Sequence, residues 1–324
     1  MAKRIIVVHG RATKPRREEK ERLVRQALIH GLNRVNGTAA GRKIENQKIQ
    51  VDLAYYGDVN NAILWAETQH PRKKFDSKFL QWPYSYETDG SYDDSMRRLF
   101  SIETGDQNKK TYHALKRREK DKGAREEIAD FISPIAELLR INKHIVNRFL
   151  PDLGAYFQYR AVGSIVRDRL QRLLVPAMQR GDDICLIAHS MGSIIAYDVL
   201  WKVSRMSEYR EIHDKKVNLF VTLGSPLGEE AVKSQLYDCD ESDDGRYPTN
   251  IVHWCNFSAE DDYVSHDERI ADDYTPMKLH QYLATIKDHF IYTFWIGRER
   301  LNPHKLYGYL DNHKVAGVIA EWIG

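Results

Sequence analysis

The stretch Ile184-Cys185-Leu186-Ile187-Ala188-His189-Ser190-Met191-Gly192-Ser193 decides the fold. Its first five residues are apolar without interruption, as in a strand covered on both faces. From Ser193 to Val203 the apolar positions recur at helical spacing. Strand passes into helix through Ser190, with the small residues Ala188 and Gly192 two places to either side. The same alternation runs through much of the chain. Arg4 to Val8 reads as a strand ending in His9-Gly10, and Ile49, Val51, Leu53 and Tyr55 alternate toward Gly57. Val217 to Leu223 and Asn250 to Phe257 read as strands, and Phe290 to Ile296 is the last strand candidate. Between them lie helical patterns. One is capped by Thr13, has Pro15 in its first turn, and carries Val24, Leu28, Leu32 and Val35. Another holds Val162, Ile165, Val166, Leu170, Leu173 and Leu174 and stops near Gly181; Val315 to Ile323 closes the chain. Strands alternating with helices predict an α/β fold, a mostly parallel sheet covered by helices on both faces.

The texture differs between Asp58 and Leu150. Charge and aromatics are dense there, and no strand of convincing length occurs. Lys109 to Glu127 is almost wholly polar and reads as a solvated loop or exposed helix; a helical pattern returns with Ile128, Ile132, Ile135, Leu138 and Leu139. The reading is a single domain over 1–324, with a core from 1–57 and 151–324 and a helical cap inserted at 58–150.

Composition excludes several classes. With 324 residues, 42% hydrophobic and 29% charged, the chain has enough apolar residues for a core and is not of disordered composition. Its 49 basic and 46 acidic residues leave a net charge of +3, which predicts no nucleic-acid binding. No apolar run reaches the ~18 residues of a membrane helix, and Ile5 to Val8 is too short for the ~7–15 residues of a signal-peptide core. Cys185, Cys239 and Cys255 are odd in number and far apart, so neither a disulfide framework nor a zinc site is expected, and the predicted location is cytoplasmic.

Ser190 has the context of a nucleophile elbow, a sharp strand-to-helix turn that exposes a hydroxyl above a sheet. The helix beneath it offers backbone N–H groups and a positive dipole end to a developing oxyanion. Gly10 lets the loop after the first strand turn back, so that the N–H of Arg11 and that of Met191 form an oxyanion pair. A serine nucleophile needs a base, and the base an orienting acid. Past the strand ending at Phe257, Asp262 and Asp261 compete for the acid, with Glu260 third. Of His266, His280, His289, His304 and His313, only His304 falls in a loop between the last strand and the closing helix. His289 reads as structural and His313 as a turn or helix cap. Asp262 follows Ser190 by 72 residues and His304 follows Asp262 by 42. A strand–helix–strand unit takes about 30 residues or more, so these gaps leave room to bring all three to one sheet edge.

On these residues the chain resembles serine hydrolases of the α/β-hydrolase superfamily, of the lipase and esterase kind. The matching elements are His9-Gly10, Ala188-His189-Ser190-Met191-Gly192-Ser193, Leu223-Gly224-Ser225-Pro226-Leu227, Trp254-Cys255-Asn256 with Asp262, and Asn302-Pro303-His304 with Gly308-Tyr309-Leu310. The resemblance implies Ser190 as nucleophile, His304 as base and Asp262 as acid, and it favours Asp262 because Asp262-Tyr263-Val264 is similar to the family's Asp-Pro-Val. It implies an acyl-enzyme, a small-molecule or lipid ester as substrate, contact with a membrane as an option, and no cofactor or metal. Ala188 stands where a first glycine is common, and the family's first two strands have no counterpart. The same triad also serves acyltransferases and thioesterases, and a hydrolase fold can act as a binding protein.

Weaker features have plainer readings. Asp240 to Gly245 resembles the start of a calcium loop, but Ile251 stands where that loop requires glutamate. Ser225 is followed by Pro226 rather than a helix, which suits a strand end better than a nucleophile. The basic run Lys116-Arg117-Arg118 is broken up by acids. Trp82, Tyr84, Tyr86 and Tyr92 read as cap core, with an acyl pocket as the alternative.

Overall fold

The computed structural model describes residues 1–35, 39–69, 91–121, 150–242, 245–265, 269–297 and 300–324. Six strands form one sheet: β1 (Lys3–Val8), β2 (Gln50–Ala54), β3 (Asp183–His189), β4 (Val217–Leu223), β5 (Ile251–Ala259) and β6 (Thr285–Ile291). Every pairing is parallel and the order is β2-β1-β3-β4-β5-β6. A separate antiparallel pair joins β7 (Ile296–Gly297) to β8 (Arg300–Leu301). The described helices are α1 (Arg17–Asn33), α2 (Ala40–Glu45), α3 (Gly57–Gln69), α4 (Ser91–Phe100), α5 (Lys109–Asp121), α6 (Pro151–Gln158), α7 (Arg160–Arg180), α8 (Met191–Arg205), α9 (Glu230–Lys233), α10 (Ile270–Asp273), α11 (Thr275–Leu279), α12 (Leu306–Leu310) and α13 (His313–Ile323).

Strand side chains point alternately to the two sides of a sheet, and the sequence uses both. Ile6, Val8, Ile184, Leu186, Ala188 and Trp254 join one core with α3, α6, α7 and α8. Ile5, Val7, Cys185, Ile187, Val221 and Phe257 join the other with α1, α4, α12 and α13. This is why the central strands read as unbroken apolar runs. The chain leaves β1 for β2 on one side and returns for β3 on the other. Loops leaving neighbouring strands in opposite directions open a crevice at the carboxyl ends, which is where parallel sheets bind ligands. His9 and Ser190 both stand there.

Three expectations need correction. The last sheet strand is Thr285–Ile291, not Phe290–Ile296; residues 292–295 have left the sheet, and Ile296 pairs with Leu301 instead. The apolar run there serves the second core through Phe294 and Trp295 rather than a ladder. Helix α1 starts at Arg17, so Thr13 and Pro15 precede it and no side chain caps it. The preceding loop is held open because Asn61 clamps Lys14 on both sides, accepting from its N–H at 2.8 Å and donating to its carbonyl at 2.9 Å. Finally, Lys109–Asp121 is a helix, and its Tyr112 is buried in the second core. The described helices of the inserted segment share the two main cores: Val59 and Ile63 in one, Tyr92, Met96 and Leu99 in the other. The helix expected from Ile128, and Trp82, Tyr84 and Tyr86, lie outside the described residues.

Helix α8, which starts at the serine, is anchored at Asp198. That buried carboxylate accepts hydrogen bonds from Tyr156 Oη at 2.5 Å and Tyr237 N at 3.0 Å. Burial outweighs these bonds and pushes its pKa up to about 6. The folded chain therefore holds this proton more tightly than the unfolded one. Its contribution is complete below about pH 4 and is lost as pH rises to about 6, roughly 3 kcal/mol for a shift of about two units. Urea unfolding at pH 4 and pH 7 checks this. The stability of Asp198→Asn relative to the parent is expected to improve by that amount between the two pH values, and an unchanged difference would contradict it.

Candidate active site

Ser190 lies at the end of β3 with φ 56° and ψ −129°, a region that side-chain-bearing residues rarely enter. Such a conformation costs about 1–3 kcal/mol and persists only where the surroundings enforce it. Two glycines permit the turn. A Cβ on Gly192 would sit 2.6 Å from the His9 carbonyl oxygen, and one on Gly10 would sit 2.8 Å from Ser190 Cβ. The loop after β1 thus packs directly against the serine, and Ser190 N donates to Leu223 O at 3.0 Å.

The structure brings Ser190, His304 and Asp262 into one chain of hydrogen bonds. His304 Nε2 is 2.9 Å from Ser190 Oγ, and His304 Nδ1 is 2.8 Å and 2.9 Å from the two Asp262 oxygens. An ionised carboxylate only accepts, so the imidazole proton sits on Nδ1 and Nε2 is left to take the hydroxyl proton. Asp262 is itself fixed by Val264 N at 3.1 Å and Tyr309 Oη at 2.5 Å. His304 is held through its backbone: its N–H donates to Asn302 Oδ1 at 3.1 Å, and its carbonyl oxygen lies 2.6 Å from His189 Nε2.

The competing residues go elsewhere. Asp261 points to α5, accepting from Tyr112 Oη at 3.0 Å and from Lys116 Nζ at 2.5 Å. The Glu260 carbonyl accepts from Tyr112 Oη. Ser225 is buried and bonds to Ser193 Oγ at 2.8 Å. His289 lies in β6 stacked on Phe257, His280 stacks on Tyr282, and His313 binds Gln107 at the start of α13. His266 lies outside the described residues.

His9 is structural. Its Nε2 accepts from Tyr56 N at 3.1 Å, so Nδ1 donates to Gly10 O at 2.8 Å. Burial, with Lys14 and Lys20 nearby, holds its pKa well below the ordinary histidine value. Burial does the same for His189, reinforced by His304.

Neither the Arg11 N–H nor the Met191 N–H enters a hydrogen bond among the described residues. Met191 begins α8, where backbone donors lack intrahelical partners. Arg11 belongs to a loop whose other polar groups are occupied. Its side chain pairs with buried Asp152, 3.0 Å from Nε and 2.9 Å from Nη2. Asp152 also accepts from Ala12 N at 2.6 Å. Burial alone would raise the Asp152 pKa, but Arg11 and the Ala12 N–H outweigh it and hold the carboxyl below its usual value. Lys14 Nζ collects the carbonyls of Arg11, Ala12 and Thr13.

A pocket of about 260 Å³ opens over Ser190 and His304, walled by the 10–14 loop, Lys20, Tyr92, Val264 and Lys305. Among the described residues, no cluster of three or more His, Cys, Asp or Glu side chains could hold a metal. The sequence gave no signal for Asp152, Lys14 or the hydroxyl of Tyr309, because each acts through a backbone or carboxylate brought close only by the fold.

The six-stranded parallel sheet flanked by helices defines an α/β protein with a serine–histidine–aspartate cluster at its carboxyl edge. Comparison with known families, curated proteins and solved structures finds no match to this chain.

Proposed function

We propose that this protein is a serine hydrolase of the α/β-hydrolase kind that cleaves carboxylic esters through an acyl-enzyme. The observation that carries this reading is the hydrogen-bond chain from a conformationally strained Ser190 through His304 to Asp262. A sheet that starts at the His9-Gly10 strand also accords with a member of that superfamily lacking its first two strands.

His304 Nε2 takes the Ser190 proton as Oγ attacks the ester carbonyl. The negative charge on the tetrahedral oxygen is met by the N–H groups of Arg11 and Met191. Collapse breaks the C–O bond, and the alkoxide leaves with the proton from His304. Water, deprotonated by the same nitrogen, then attacks the acyl carbonyl. Release of the carboxylic acid returns the proton to Ser190. Asp262 keeps the imidazole in the right tautomer and stabilises its charged form. No cofactor or metal enters these steps. The reaction is placed in the cytoplasm, in keeping with three cysteines outside disulfides. No described helix is long and apolar enough to cross a membrane.

Intact-mass measurement with a small fluorophosphonate probe tests the assignment. One adduct is expected on the native chain and none on Ser190→Ala; a folded native chain that takes up no probe overturns it. The oxyanion loop has its own test. Asp152→Asn removes the charge that pairs with Arg11, and breaking a buried pair costs about 3–5 kcal/mol. If the loop supplies a donor, kcat for a para-nitrophenyl ester also falls about 10- to 100-fold, short of the roughly 10²–10³ for deleting a donor. A loss of stability with kcat intact would remove Arg11 from the oxyanion pair.

A further inference from the structure

Three lysines from three segments line the pocket that holds the Ser190 hydroxyl: Lys14 from the loop after β1, Lys20 from the first turns of α1, and Lys305 beside the base. The lining described contains no carboxylate, since Asp262 and Asp152 lie behind it, on His304 and Arg11. The ammonium groups are held in place by their surroundings. Lys20 is 3% exposed; its Nζ donates to Tyr307 Oη at 2.9 Å and lies 4.2 Å from the centre of that ring. Lys305 Nζ lies 5.0 Å from the Tyr92 ring and 5.8 Å from both Trp295 and Tyr307. Tyr92, Trp295 and Tyr307 pack on one another, so both lysines ride on one aromatic platform. Lys14 Nζ is fixed by the carbonyls of its own loop, including those of Ala12 and Thr13 at 3.0 Å and 3.2 Å.

We propose that the substrate is an ester carrying an anionic group, a carboxylate or a phosphate, which the Lys14, Lys20 and Lys305 ammoniums bind while Ser190 faces its carbonyl. This deepens the serine-hydrolase reading and rests on it. A cation held in place on a low-dielectric wall attracts an anion far more strongly than one on a mobile surface chain. The field of this wall reaches the floor of the pocket, since Lys14 and Lys20 add to the burial that keeps His9 and His189 uncharged. A neutral ester makes no use of such a wall and leaves its charges unmatched, so the site discriminates by charge as well as by shape.

Matched ester pairs test this. The carboxylate pair is para-nitrophenyl valerate and mono-para-nitrophenyl glutarate; the phosphate pair is a para-nitrophenyl butyrate bearing a terminal methoxy or a terminal phosphate. In at least one pair the charged member is expected to have a kcat/KM about tenfold higher or more, mainly through KM, as for one charge-assisted contact. Which pair responds identifies the anion. The advantage is expected to shrink as salt is raised from about 20 to about 500 mM. It is expected to fall about tenfold in Lys305→Met or Lys20→Met, where methionine keeps most of the side-chain volume. Equal turnover within both pairs, or an advantage that both variants leave intact, overturns the proposal. Calorimetry on the Ser190→Ala chain reads the same site without turnover. Monomethyl glutarate or inorganic phosphate is expected to bind more weakly to the Ser190→Ala/Lys305→Met chain, and failure of both to bind Ser190→Ala overturns the anion site. No turnover of any ester, with no fluorophosphonate adduct, sinks the hydrolase reading instead, and the calorimetry still decides the anion site.

Discussion

Ser190→Ala is expected to lower kcat on an activated ester by about 10⁴–10⁶-fold, leaving only what the oxyanion donors and binding supply. His304→Ala is expected to cost about as much, and the double variant little more, because the two residues carry one proton through one step. Their Oγ to Nε2 distance of 2.9 Å is the physical ground for that non-additivity. Losses that multiplied in the double variant would mean the two groups work apart. Ser190→Gly separates lost chemistry from a damaged fold. Glycine accepts a φ of 56° at little steric cost, whereas serine there is strained. Ser190→Gly is therefore expected to be as inactive as Ser190→Ala yet about 1 kcal/mol more stable than Ser190→Ala in urea unfolding. Ser225 is not expected to take over in either variant. It is buried, and its described contacts are Ser193 Oγ and Leu227 N.

How legible these features were depended on the range of the interaction behind them. β1 and β3 were readable because burial on both faces leaves an unbroken apolar run. Ser190 stood out because strand, turn and helix are all local to it. The spacing to Asp262 and His304 was readable only as room for further units; its choice over Asp261 needed a resemblance. The structure separates the two by turning Asp261, at φ 61°, toward Lys116 and Tyr112. Phe290 to Ile296 misled because an apolar run can serve a core without a ladder, as Phe294 and Trp295 do. Lys109–Asp121 misled because one buried tyrosine suffices to seat an otherwise polar helix. Asp152 was silent altogether: a lone acid beside a proline gives no hint of an arginine 141 positions away.

Gly224→Ala is expected to be the most damaging change outside the three reacting residues, and its control is built into the same chain. Gly224 follows β4 with φ +54° and gave no more sign in the sequence than a strand end. A Cβ there would lie 2.6 Å from Asp262 Oδ2, 3.0 Å from His304 Nδ1 and 3.1 Å from Tyr309 Oη. All three atoms belong to the hydrogen-bond chain that orients the base. None can retreat without lengthening a bond to another, and Asp262 has no flexible stem to absorb the shift. Displacing the acid removes the group that fixes the imidazole tautomer, a loss of about 10³–10⁴-fold in kcat with KM little changed. Gly181→Ala isolates the backbone contribution. Gly181 ends α7 with φ +71°, and a Cβ there would meet nothing within 4 Å. Its alanine variant bears the left-handed strain alone and is expected to lose about 1 kcal/mol of stability with kcat unchanged. Tyr309→Phe falls between them, removing one hydrogen bond to Asp262 while keeping the ring, and is expected to cost about tenfold in kcat. If Gly224→Ala matched Gly181→Ala, with stability lowered and turnover intact, the packing around Asp262 would not be what holds His304 ready to accept the proton.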